Sequence, residues 1–111
     1  MEPLPSQEFF EGLLVRDPAQ TAQQPMVVVR FGASWCGPCK RVDTQALLDF
    51  HPGIKWYYAD IDEGENTYTL GYAGCQQIPS FIAIRDGKPQ PPLQSSDTQK
   101  IIAWLKTSFQ L

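Results

Sequence analysis

Cysteine and histidine are scarce in this chain, with three cysteines and one histidine among 111 residues. A structural zinc site normally takes four Cys or His ligands. Cys36, Cys39, Cys75 and His51 would make a badly spaced set, so no metal is expected. An odd cysteine count also argues against a fixed disulfide framework. Positive charge is in short supply too. Nine Lys and Arg against twelve Asp and Glu give a net charge of −3. Nucleic acid and anionic membrane surfaces demand a basic footprint, so neither is an expected partner. No apolar run approaches the ~18 residues needed to cross a bilayer. The opening MEPLPSQEFF lacks the basic region and long apolar stretch of a signal peptide, and a cytoplasmic location is the expectation. Internal repeats, heptads and low-complexity tracts are missing as well.

What remains is an ordinary globular composition, 42% hydrophobic and 19% charged, long enough to bury a core as one domain over residues 1–111. Residues 6–15, SQEFFEGLLV, predict a helix with Ser6 as N-cap and Phe9, Phe10, Leu13 and Leu14 as its apolar stripe. RDPAQTAQQP reads as a loop. MVVVRF, residues 26–31, is a β-branched run of the kind found in strands buried on both faces. Residues 36–50 predict one helix, with Val42, Ala46, Leu47 and Phe50 on one side and HPG ending it.

IKWYYADI, residues 54–61, is a second strand rich in aromatics. DEGENTYTLGYAG is a turn entering a short helix closed by Gly71 or Gly74. SFIAIR forms a third strand, Asp86-Gly87 a hairpin turn, and Pro91-Pro92 weaken the next strand into an edge. Residues 97–109 predict an amphipathic helix capped by Asp97 and burying Ile101, Ile102, Trp104, Leu105 and Phe109. The alternation predicts a layered α/β domain with helices on both faces of a mixed sheet.

Directly after the apolar strand comes WCGPCK. The pair Cys36 and Cys39 could be a metal clip, a permanent cross-link or a reactive dithiol. Buried-strand context, the ADIDE stretch and Ile78-Pro79 ahead of another strand complete a pattern. In order and spacing, over nearly the entire chain, it resembles the thioredoxin family. The resemblance implies the thioredoxin fold, a central mixed sheet of about four to five strands flanked by helices on both faces. It also implies a protein-disulfide reductase without a cofactor, acting on protein disulfides and reduced in turn by a thioredoxin reductase or an equivalent thiol reductant. Pro79 would be cis.

The chemistry the resemblance points to follows from local physics. A helix start exposes unpaired N–H groups and a positive dipole end, both of which stabilise a thiolate. Cys36 is therefore the expected nucleophile, its pKa lowered from ~8.5 towards the ~7 that thioredoxin itself shows. Cys39, one turn on and expected to be more buried, would resolve the mixed disulfide. Gly37 and Pro38 set the first turn, where proline's missing N–H has no intrahelical partner. Trp35 would offer an apolar docking surface, with a core tryptophan as the ordinary alternative. The backbone at Ile78, beside Pro79, would pair with an extended substrate segment. Cys75 reads as a small buried hydrophobe or, alternatively, a regulatory thiol. Asp60, Asp62, Glu63 and Glu65 read as a solvated turn.

Some positions depart from the family's pattern. Arg30 stands where thioredoxins usually hold a buried aspartate, and Tyr58 where they hold a lysine. A buried arginine needs a partner. Asp43, at helical spacing from Cys39, is the candidate, as proton acceptor for Cys39 or as a purely structural mate for Arg30. Arg30 would then bias Cys36 towards thiolate and make the disulfide a stronger oxidant. Gly32, replacing a tryptophan, would open space beside the motif, and Thr44, replacing a kinking proline, would leave the helix straighter. A thioredoxin-fold binding or scaffold subunit without redox turnover is the alternative function.

Overall fold

The computed structural model describes residues 1–16 and 24–111. The expected loop RDPAQTAQQP falls largely outside the described residues. A six-stranded mixed sheet organises the chain, in the order β1 (Glu2–Pro3), β3 (Lys55–Asp60), β2 (Met26–Gly32), β4 (Ser80–Arg85), β5 (Lys88–Pro89), with β6 (Leu93–Gln94) also pairing with β4. The central strand β2, Met26–Gly32, runs parallel to β3, Lys55–Asp60, and antiparallel to β4, Ser80–Arg85. Its consecutive β-branched residues fit this place, because helices cover both faces.

Alternation along the strands sorts the core into two layers. On one face Val27, Val29 and Phe31 pack with Tyr57, Ala59, Ile82 and Ile84 under α1, Gln7–Glu11, and α3, Asn66–Tyr72, which contribute Phe10 and Leu70. On the other face Val28, Trp56, Phe81 and Ala83 meet Leu47 of α2, Thr44–Phe50, and Ile101, Leu105 and Phe109 of α4, Thr98–Phe109. Each fully buried leucine or isoleucine contributes roughly 1.5–3 kcal/mol.

The helix ends follow their capping residues. Ser6 accepts from the Phe9 amide at 3.0 Å, and beyond Glu11 the coil widens into a π-helical turn over Gly12–Arg16. Asp97 caps α4 through the amides of Gln99 and Lys100. Gly74, at φ +84°, ends α3: its amide reaches the Gly71 carbonyl and that of Cys75 the Leu70 carbonyl, both at 3.0 Å. Asp86 and Gly87 take positive φ at 49° and 79°, as the tight hairpin between β4 and β5, Lys88–Pro89, requires.

Three expectations change. Two-residue strands line both margins of the sheet: β5, with Pro89, beside β6 along β4, and β1, Glu2–Pro3, which pairs in parallel with β3 and has no signature in the sequence. β6, Leu93–Gln94, follows Pro91-Pro92 as a short pairing partner of β4. The third change bears on the site. Residues 36–50 are not one helix but a 3-10 turn, Pro38–Arg41, followed by α2. Val42 between them is extended, at φ −73° and ψ 124°, and Asp43 is the N-cap of α2, accepting from the Ala46 amide at 3.1 Å. Thr44 therefore starts a new helix instead of straightening an old one. An Asx cap outcompetes helix continuation when its side chain satisfies the next turn's amides.

Candidate active site

The C-terminal end of β2 delivers Gly32 and Ala33 to one end of the sheet, and a turn carries the chain through exposed Ser34 and Trp35 into Cys36, whose amide donates to the Ala33 carbonyl at 3.1 Å. Gly37 adopts helical φ and ψ, and Pro38 opens the 3-10 turn at its first position, as expected. Cys36 and Cys39 are joined as a disulfide with Cα atoms 5.3 Å apart. The Cys39 amide points at Cys36 Sγ from 3.1 Å. That N–H is the donor a Cys36 thiolate would use.

Both cysteines are buried, Cys36 at 3% exposure and Cys39 at 6%, so the expected difference in depth between them is not found. They pack with Ala33 in a small apolar cluster that also touches Ile61 and Ile78. Around them the surface is open. Gly37 and Pro38 are exposed, and Trp35 is 64% exposed, resolving that residue in favour of the surface. Its indole Nε1 donates to Asp62 Oδ2 at 2.7 Å, so one member of the acidic run does more than solvate a turn.

The register Phe31↔Ser80 brings the start of β4 to the same end of the sheet. Pro79, immediately before it, is buried and its peptide bond with Ile78 is cis. Neither backbone group of Ile78 is hydrogen-bonded among the described residues. The backbone of Ile78, in the bend that leads into β4 and packed against the cysteine cluster, is thus unpaired among the described residues.

Arg30 lies on the α2 side of β2, 7% exposed. Its guanidinium does not meet Asp43. Nη1 donates to Thr44 Oγ1 at 2.7 Å and Nη2 to the Cys39 carbonyl at 3.0 Å. The Arg30–Asp43 pair fails for a geometric reason. The break at Val42 takes Asp43 off the face shared by the cysteines and turns it outward as a cap, with its own amide donating to Thr98 Oγ1 at 2.9 Å. Burial pulls the Arg30 guanidinium below its ordinary range, with neighbouring Tyr58 opposing.

Tyr58 is the Cα register partner of Arg30 on β3. Burial and then Asp60 hold its phenol above the usual tyrosine range, and Arg30 works the other way. The gap expected at Gly32 is not open. A Cβ there would stand 3.3 Å from the Tyr58 hydroxyl and 3.5 Å from Cys39 Sγ. Thr44 and Tyr58 were the site residues least visible in sequence. The signal for the first was an aspartate directly before TQALLDF, a cap pattern; the second was marked by its departure from the family's lysine, while its place opposite Arg30 comes from strand register. Cys75 is buried in the core, where burial pushes its thiol up and the Ser80 hydroxyl partly offsets this.

A vicinal cysteine pair at the start of a helical turn, set at one end of a helix-covered mixed sheet beside a cis proline, defines a thiol–disulfide oxidoreductase. The thioredoxin family model matches residues 9–107, and the chain belongs to that family. Its relatives include a thioredoxin of Bacillus subtilis (strain 168), 38% identical over 64 residues, which are 57% of this chain and 62% of that protein. The Thioredoxin-like 3-3 protein of Arabidopsis thaliana is 30% identical over 92 residues, 80% of this chain and 68% of its own. In fold, the chain superimposes on Fasciola hepatica thioredoxin with a TM-score of 0.78, covering 97% of this chain and 99% of that one at 24% identity.

Proposed function

We propose that this protein reduces disulfides of other proteins, with Cys36 as attacking thiolate and Cys39 as resolving thiol, and that thioredoxin reductase or an equivalent thiol reductant restores the dithiol. The reading rests above all on the Cys39 amide aimed at Cys36 Sγ from 3.1 Å. Cys36 attacks one sulfur of the client disulfide, and the other leaves as a thiolate that takes up a proton. Cys39, deprotonated, then attacks Cys36 Sγ and displaces the second client thiolate. Two electrons pass from dithiol to client, and the Cys36–Cys39 bond is formed.

Exposed Trp35, Gly37 and Pro38 form the apolar approach, and the unpaired backbone of Ile78 beside Pro79 receives an extended client segment by strand addition. A cytoplasmic setting, with neither nucleic acid nor membrane as partner, belongs to the same reading. It draws on the net charge of −3 and on the rule that reducing compartments favour transient, catalytic disulfides.

Insulin reduction by dithiothreitol is the direct test. Catalytic amounts of the protein should accelerate it, Cys36→Ser should abolish the acceleration, and Cys39→Ser should trap a mixed disulfide. Equal rates for wild type and Cys36→Ser would overturn the reading and leave a binding role.

A further inference from the structure

Arg30 is a cation without a carboxylate. It is 7% exposed and takes part in no ion pair among the described residues. Its Nη1 is used by Thr44, its Nη2 by the Cys39 carbonyl, and its Nε finds no acceptor. Isolating a guanidinium from water is unfavourable unless an anion answers it. The oxidised pair supplies none. Resolution creates one: the residue whose carbonyl accepts from Nη2 is the residue whose thiol must give up its proton before it attacks.

The surroundings of Cys39 agree. Charged and titratable groups face it from each packed element: Arg30 from β2, Tyr58 from β3, and Cys36 from its own turn. Lys40 and Arg41, adjacent in the chain, are exposed, while Asp60, Asp62 and Glu63 act on Tyr58 electrostatically. The elements bearing Ile61 and Ile78 contribute only apolar contact. The Tyr58 hydroxyl and Cys39 Sγ both approach the point where a Gly32 Cβ would stand, at 3.3 and 3.5 Å, and no hydrogen bond joins the two among the described residues. No carboxylate is hydrogen-bonded to Cys39 among the described residues.

We propose that Arg30 is a positioning residue for the resolving step: anchored on the Cys39 carbonyl, it favours the Cys39 thiolate by its charge, so that no carboxylate base is needed. This rests on the reading of Cys36 as attacker and Cys39 as resolver. In the step itself the Cys39 thiol gives its proton to solvent water and the thiolate attacks Cys36 Sγ. The Cys36–client S–S bond breaks, the Cys36–Cys39 bond forms, and the client sulfur departs with the electron pair. Arg30 neutralises the Cys39 charge that exists only between the loss of that proton and the closing of the Cys36–Cys39 bond.

The experiment uses the reduced full chain and 5,5′-dithiobis(2-nitrobenzoate), which releases one coloured thiolate when Cys36 attacks and a second when Cys39 resolves. Stopped-flow traces across pH separate the two phases. Arg30→Gln, which keeps a hydrogen-bond donor but not the charge, should leave the first phase in place. It should move the midpoint of the second-phase profile up by about 1 pH unit, a tenfold slowing on the acid side, within the range an opposite charge produces. Arg30→Lys should restore most of that loss. A second-phase profile unchanged in Arg30→Gln overturns the proposal. A first phase that persists in Cys36→Ser overturns the underlying reading, a different signature.

A second measurement needs no change at Arg30. In Cys36→Ser, thiolate absorbance near 240 nm, taken as the difference from Cys36→Ser/Cys39→Ser, reports Cys39 alone. A midpoint below the ordinary thiol value of about 8.5 supports the proposal. One at or above it overturns it.

Discussion

Nη1 of Arg30 donates a 2.7 Å hydrogen bond to the hydroxyl of Thr44, and this contact ties the first residue of α2 to the central strand. The donor is charged and its side chain is buried, so losing the acceptor is costly. Thr44→Val, matched in shape, should cost about 1–3 kcal/mol. Thr44→Ser should recover most of it. The measurement is a urea melt: the midpoint falls while the slope stays the same.

Asp43 is a cap, and its substitution should behave like the loss of one. Asp43→Ala should cost about 1 kcal/mol through the freed Ala46 amide. Turnover of a protein disulfide per folded molecule should be unchanged between pH 6 and 8. A loss of turnover confined to that window would return Asp43 to proton chemistry.

Trp35 is held in place by Asp62. With an exposed docking residue, the loss of one hydrogen bond should appear in binding before it appears in chemistry. Asp62→Ala should raise KM for a protein disulfide about fivefold, the equivalent of about 1 kcal/mol, with kcat unchanged. Asp62→Asn, which still offers an oxygen, should stay close to wild type. A fall in kcat at constant KM would contradict this role.

Cys75 makes alkaline stability a property of the core. Its folded thiol titrates above the ordinary value because burial disfavours the thiolate. The unfolded chain therefore releases this proton first as pH rises. The stabilising contribution is whole below the ordinary thiol range and is lost as pH climbs through the raised folded value. Urea midpoints measured from pH 7 to 10.5 should fall more steeply for wild type than for Cys75→Val. Parallel curves would show that the thiol does not titrate differently in the fold.

Much of the architecture was legible because it rests on pattern. MVVVRF reads as a strand covered on both sides, and DTQK followed by an apolar stripe reads as the start of a helix. The site was legible at WCGPCK and Ile78-Pro79, where residue type dictates chemistry. It failed at Arg30, where the need for a partner was evident but its identity depended on helix phase. One extended residue, Val42, shifted that phase, and the partner moved from Asp43 to Thr44. The pairing of Tyr58 with Arg30 and of Glu2 and Pro3 with β3 depends on register across the sheet, which a single chain read alone does not carry.

Pro3 and Pro89 lie in short ribbons at opposite edges of the sheet, with β6 sharing the β4 edge. Neither offers an amide hydrogen to a newcomer, and each outer ribbon ends after two residues. Growth of one molecule's pleats onto another's is thereby discouraged at both rims, which favours dispersal even in concentrated solution. Hospitality to a foreign extended chain is left to the proposed seam at Ile78, so that docking and electron transfer share one address.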